Sequence, residues 1–216
     1  MVKFTHAVLL SGGLDSTVLL HQFHSQSGQK IRAINVNGGN ASWLHQLHYS
    51  KANCNELGIP IEPLDLRGFQ QLMAGYVPPE LAGIDDFDSR CPYDGSILPV
   101  VMACAAYHCQ ISDTPMLLVG LTKEQSNPNT INFLKTLGNA LSLFDPQARP
   151  VSIEAPFLSL TKSQVVQRGV QLGMDFSKTW SCFMGGSHHC GVCGPCVNRK
   201  DAFAAAAVAD PTTYIA

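Results

Sequence analysis

Residues Ala7-Val8-Leu9-Leu10-Ser11-Gly12-Gly13-Leu14-Asp15-Ser16-Thr17-Val18-Leu19-Leu20 decide the fold. Ala7 to Leu10 is an apolar run too short for a helix, and two glycines stop it. It predicts a strand, then a glycine turn, then the start of a helix that carries on through Phe23. Gly12 and Gly13 have no Cβ, so the backbone there can turn tightly and approach a ligand. Asp15 and Ser16 are expected to cap the helix through their side-chain oxygens. The free amides of a helix N-terminus favour an anion. The stretch therefore predicts a phosphate cradle at the carboxyl end of the first strand. It has neither the Gly-Lys-Ser ending of a Walker loop nor the Gly-x-Gly-x-x-Gly of a dinucleotide loop.

The rest of the chain bounds what such a cradle can serve. Its 216 residues suffice for one α/β domain, alone or with a small appendage. A net charge of -2 argues against the basic surface of a protein that binds nucleic acid through its backbone. No stretch has the length and apolarity of a membrane span, and Met1 to His6 does not read as a signal peptide, so a cytoplasmic location is expected. In that compartment eight cysteines point to metal binding rather than disulfides.

Strand and helix signals alternate. Residues 31–37 read as a second strand, Ser42 to Leu57 as a helix closed by Gly58, and 59–66 as a proline-interrupted strand near a sheet edge. From Arg67 to Tyr93 the pattern is that of a long surface loop. Ser96 to His108 predicts a buried helix, Met116 to Gly120 an interior strand, Ile131 to Phe144 an amphipathic helix and Val151 to Pro156 a further strand. Thr161 and Gln164 form a capping box for a helix ending at Gly173. A last helix is expected from Asn198 to about Ala209. This alternation predicts a doubly wound, mainly parallel, Rossmann-like sheet. The α/β domain that carries the phosphate cradle is expected over 1–177 and a small metal-binding segment with the C-terminal helix over 178–216.

That segment holds Cys182-x7-Cys190-x2-Cys193-x2-Cys196. Four thiolates so spaced can close a tetrahedral shell around zinc. With no open position left, the site is expected to be structural. Gly191 and Gly194 are placed for knuckle turns, and His188 and His189 lie within reach as substitute ligands. An iron–sulfur cluster is the weaker alternative. The pairs His21/His24 and His45/His48 are read as surface or packing residues.

The string Ser11 to Ser16 resembles the pyrophosphate loop of the PP-loop ATP pyrophosphatases. Leu160-Thr161-Lys162, and then Thr179-Trp180-Ser181-Cys182, Cys190-Gly191-Val192-Cys193-Gly194-Pro195-Cys196, Arg199 and Asp201-Ala202-Phe203, narrow the resemblance to the 7-cyano-7-deazaguanine synthase family of queuosine biosynthesis. It implies that 7-carboxy-7-deazaguanine is adenylated with ATP and magnesium. Ammonia would then give an amide, and a second adenylation the nitrile. Leu10, Ser11, Gly12, Gly13, Leu14, Asp15, Ser16 and Thr17 would bind the nucleotide. Asp15, Ser16 and Lys162 would carry catalysis, with Asp15 also positioning magnesium and Lys162 steadying the departing pyrophosphate. The family's habit implies a homodimer.

The middle of the chain departs from the family pattern at Val36-Asn37-Gly38-Gly39-Asn40, at Cys91 to Ser96, at Gly120-Leu121-Thr122 and at Asn127 to Thr130. Two alternatives therefore stand beside nitrile synthesis. One is a paralogue that transfers the deazaguanine acyl group to another amine, such as a protein amino group. The other is a PP-loop tRNA-modifying enzyme, for which Cys91 is the candidate thiol.

Overall fold

The structure, a computed structural model, describes residues 3–26, 28–66, 97–144, 147 and 149–215. The loop expected over 67–93, with Cys91 and the string up to Ser96, lies outside them. Five strands form one sheet: β1 (His6–Leu9), β2 (Ile31–Asn37), β3 (Ile61–Asp65), β4 (Met116–Leu118) and β5 (Ser152–Glu154). Their order is β3-β2-β1-β4-β5 and every pair is parallel. His6 faces Ile31 on one side and Met116 on the other, so β1 lies at the centre.

The helices are α1 (Leu14–His24), α2 (Trp43–Leu57), α3 (Ile97–Ile111), α4 (Thr130–Phe144), α5 (Lys162–Gln171) and α6 (Gly194–Ala205). The doubly wound expectation holds, and the period of the strands explains it. Along β1, Val8 and Leu10 enter one apolar cluster, with Val18, Phe157, Val165 and Phe203. Ala7 and Leu9 enter another, with Met102, Ala105 and Leu134. Alternate residues face opposite sides of a sheet, so an unbroken apolar run means helices on both faces. Leu117 and Leu118 divide in the same way.

Pro63 sits in β3, an edge strand, where a missing amide is tolerated. The Thr161–Gln164 capping box is present, with Gln164 Oε1 accepting from Thr161 N at 2.8 Å. Three expectations need correction. α3 runs on to Ile111, past His108. Ile131 is exposed, and α4 is buried instead through Leu134, Gly138 and partly Leu137 and Leu141. α6 starts four residues before Asn198, because Pro195 stands at the helix entry, where its fixed φ and missing amide suit the first turn. Gly194 is thus the first helical residue and needs no free dihedral, whereas Gly191 does, at φ +80°.

Candidate active site

β1 is where the sheet's winding reverses. α1 leads from β1 to β2 on one side, and α3 brings the chain back to β4 on the other. The loops after β1 and β4 therefore part and leave a crevice at the strand carboxyl ends. A cavity of about 170 Å³ occupies it. Ser11, Gly13, Asp15, Ser16 and Gln125 line its polar end, and Val36, Leu98, Val101, Val119 and Leu121 its apolar walls.

The glycine loop is built by close packing. Gly12 has φ +72°, and a Cβ there would stand 2.2 Å from Gln46 O of α2. Gly120, after β4, lies against the start of α1, and a Cβ there would meet Ser16 N at 2.9 Å. Two layers of backbone thus meet at the loop, and side chains are absent where they touch. Beneath it, Asn35 is 1% exposed. Its Nδ2 donates to Leu10 O at 2.8 Å and its Oδ1 accepts from Trp43 Nε1 at 2.9 Å. Ser50 Oγ also donates to Leu10 O, at 3.3 Å. A polar residue in the apolar run Ile-Arg-Ala-Ile-Asn-Val was the available signal for this support, and the sequence reading passed over it.

Asp15 and Ser16 do not cap α1, contrary to expectation. The N-cap is Gly13, with no side-chain cap bond. Ser16 Oγ turns back instead, accepting from Ser11 N at 3.2 Å and lying 3.0 Å from Ser11 Oγ. Thr17 Oγ1 donates to Gly13 O at 2.7 Å. The first amides of a helix have no partner within it, so those of α1 are available to an anion. Leu10 and Leu14 are buried, with Leu10 also lining the crevice.

Asp15 pairs with Lys162, Nζ to Oδ2 at 2.7 Å. Burial raises the Asp15 carboxyl above its ordinary range, with Lys162 pulling the other way. Its Oδ1 is buried with no hydrogen-bond partner among the described residues. Lys162 opens α5, where its charge opposes the helix dipole. Glu124 offsets this by accepting from Lys162 N at 3.0 Å. The structure thus gathers Ser11, Gly13, Asp15 and Ser16 on one crevice, while Lys162 reaches Asp15 from the start of α5 and lines a second cavity with Glu124 and Gln125.

The four clustered cysteines converge too. Their sulfurs lie within 4.8 Å of one another and can hold a metal ion. Cys182 and Cys193 sulfurs are 3.9 Å apart, those of Cys190 and Cys196 4.0 Å. Amides of Met184 and Cys190 donate to Cys182 Sγ, and that of Cys193 to Cys190 Sγ. His189 is engaged elsewhere: its Nε2 accepts from Ser181 N at 3.0 Å. Burial, aided by the Arg199 charge, lowers its pKa to about 4, so it is neutral there. His188 pairs with Ser187. Of the helix histidines, His21 bonds Asn53 and His45 stacks on Trp180.

Residues 5–207 match the family model described as queuosine biosynthesis protein QueC. The chain is 30% identical to a 7-cyano-7-deazaguanine synthase of Caldicellulosiruptor bescii and 28% identical to one of Marinobacter nauticus, over 96% of both chains in each case. Among solved structures it is similar to a U34-tRNA thiolase, NcsA, from Methanococcus maripaludis, at 18% identity and a TM-score of 0.52, covering 81% of this chain and 59% of that one. It is also similar to an NH3-dependent NAD synthetase from Campylobacter jejuni, at 13% identity and a TM-score of 0.50, covering 82% and 68%. At such identities these two likenesses speak for the fold alone. With the family model spanning nearly the whole chain, the protein belongs to the QueC family of queuosine biosynthesis enzymes.

Proposed function

We propose that the protein is a carbon–nitrogen ligase that adenylates 7-carboxy-7-deazaguanine with ATP, aminates it with ammonia, and dehydrates the amide through a second adenylation to 7-cyano-7-deazaguanine. Each adenylation releases pyrophosphate, and AMP leaves in the following step. The observation that carries this reading is Asp15, at the start of α1, which lines a crevice polar at the loop and apolar beyond it and pairs behind it with Lys162 of α5.

Gly13, Leu14, Asp15 and Ser16 offer amides to the β- and γ-phosphates at the positive end of α1. Lys162 leaves Asp15 for the phosphates when they arrive and steadies the pyrophosphate as its bond to the α-phosphorus breaks. Asp15, with one oxygen already unpaired, is then free to hold magnesium, which supplies Lewis-acid charge on the phosphate oxygens. The apolar walls suit a purine face. Ser16 keeps the loop shut through Ser11.

Zinc suits the cysteine cluster. A tetrahedral ion with bonds of about 2.3 Å sets its sulfurs about 3.8 Å apart, close to the 3.9 and 4.0 Å seen. A cubane cluster interposes several irons and would spread them further. Burial raises the Cys182 and Cys196 thiols, so a bound cation is what would keep them as thiolates. The site closes with four sulfurs and takes no part in the chemistry.

The test incubates the protein with 7-carboxy-7-deazaguanine, Mg·ATP and ammonium and follows pyrophosphate, AMP and product mass. The nitrile is the expected product. A product that stops at the amide, or appears only as a conjugate with an added amine or protein, would replace the nitrile step. No pyrophosphate release with the carboxylate would overturn the whole reading.

A further inference from the structure

The cysteine cluster and the glycine loop are joined by one short strap, residues 179–182. Trp180 N donates to Gly12 O at 2.8 Å. Gly12 O belongs to the same peptide unit as Gly13 N. In a trans peptide the C=O and N–H point opposite ways. Anchoring Gly12 O to the strap therefore aims the Gly13 amide away from it, to the side where it donates to Ser11 Oγ at 3.3 Å and where Gly13 lines the crevice, so that a polyphosphate would take this amide over from Ser11. Gly12, at φ +72°, has no side chain to resist rotation of that peptide, and the strap's 2.8 Å bond is the shorter of the two that hold it, the other being the Gly13 amide to Ser11 Oγ at 3.3 Å.

The strap in turn depends on the cluster. Trp180 Nε1 donates to the carbonyl of Cys182, the first of the four cysteines, at 2.7 Å. The indole, 3% exposed, lies between two imidazoles. His45 of α2 is 4.1 Å away with 11° between planes, and His189, inside the cluster, is 4.2 Å away. Arg199 Nη1 donates to Thr179 Oγ1 at 2.7 Å.

We propose that Trp180 is a positioning residue of the nucleotide site, which makes the aim of the Gly13 amide depend on the metal state of Cys182, Cys190, Cys193 and Cys196. The inference rests on the nucleotide reading above. It implies linkage in both directions: metal binding tightens the hold on a polyphosphate, and a bound polyphosphate tightens the hold on the metal by the same factor.

The experiment titrates zinc-loaded wild-type protein to equilibrium with a chromophoric zinc chelator of known affinity and reads the zinc dissociation constant. It is done with and without saturating α,β-methylene-ATP as its magnesium complex, whose binding is measured separately by calorimetry. The zinc dissociation constant is expected to fall at least about fivefold with the nucleotide, the lower end of ordinary coupling between sites. Trp180→Phe keeps the strap's backbone amide and a stacking ring but loses Nε1. It is expected to load zinc and still bind the nucleotide, with the gain in zinc affinity reduced to less than about twofold. A role in packing alone would lower thermal stability and leave that ratio unchanged. Equal zinc affinities in wild-type protein with and without the bound nucleotide would overturn the linkage, and this comparison needs no variant. An undiminished gain in Trp180→Phe would overturn the assignment to Trp180. No binding of the nucleotide to zinc-loaded wild type would overturn the ATP reading, and this inference with it.

Discussion

Asp15 shows at the scale of one residue how a site is kept ready at a cost in stability. Its folded-state pKa lies above the ordinary 3.8 because burial outweighs the Lys162 ammonium. Between those two values the folded chain keeps a proton that the unfolded chain has lost. Stability therefore falls as pH rises through that window, and the cost remains at pH 7. Asp15→Asn should reverse it. Urea titration at pH 7 should place its midpoint at or above that of wild type, with no advantage below about pH 3.8. Pyrophosphate release by the same variant should fall by about 10²–10³. A clearly lower midpoint at pH 7 would mean that the pair with Lys162 outweighs burial. Asp210 has the opposite sign. Burial raises it, but the Tyr214 hydroxyl and the Arg199 charge prevail and hold it low, so its contribution is present at neutral pH and disappears as pH falls through its folded value. Its partner Arg199 is fully buried and bonds Asp210, Thr179 and the Phe176 carbonyl. Arg199→Ala removes the counter-charge of Asp210, leaving it, among the described residues, only its bonds from Tyr214 and Thr212, and should cost about 3 kcal/mol, read from urea unfolding.

Between elements the decisive contacts are backbone against backbone. Gly12 lies on the α2 carbonyl of Gln46, and Gly120 on the first turn of α1. Gly12→Ala forces a Cβ into the first contact at an unfavourable φ. It should lower the melting temperature by several degrees and reduce pyrophosphate release below detection; wild-type values would show that the loop tolerates a side chain. The sequence reading found most elements because each carries its own period, cap or breaker. Thr161 and Gln164 lie in one turn and can be read together. The start of α6 was missed because its entry is written in Pro195 and the cysteines, not in apolar spacing. The capping expected of Asp15 and Ser16 is absent for another reason. Their side chains find stronger partners in Lys162, 147 residues away, and in Ser11 across the turn.

At the scale of the whole molecule, the cysteine segment shares apolar packing with the helices of the parallel sheet. Ala202 and Phe203 of α6 share an apolar cluster with Val18 of α1 and Val165 of α5. Calorimetry of the metal-loaded protein should accordingly show one cooperative transition. Two transitions would make 178–216 a separate domain. Cys193→Ser should lower zinc content and melting temperature together, because a site that closes around a metal contributes its binding energy to folding. A metal-free variant with wild-type stability would refute that role.

The sequence by itself determined the winding of the sheet, the phosphate-type loop after β1, the capping box of α5 and the four sulfurs of the metal site. These are local patterns, each complete within a turn, a strand or a short spacing. Only the tertiary structure decided that Lys162 meets Asp15, that Asn35 and Ser50 hold the Leu10 carbonyl, and that Trp180 fixes the Gly12–Gly13 peptide. No periodicity records those pairs. They form because the parallel sheet brings the carboxyl ends of distant strands to one edge, where burial drives polar groups to pair and, among these, leaves Asp15 Oδ1 over.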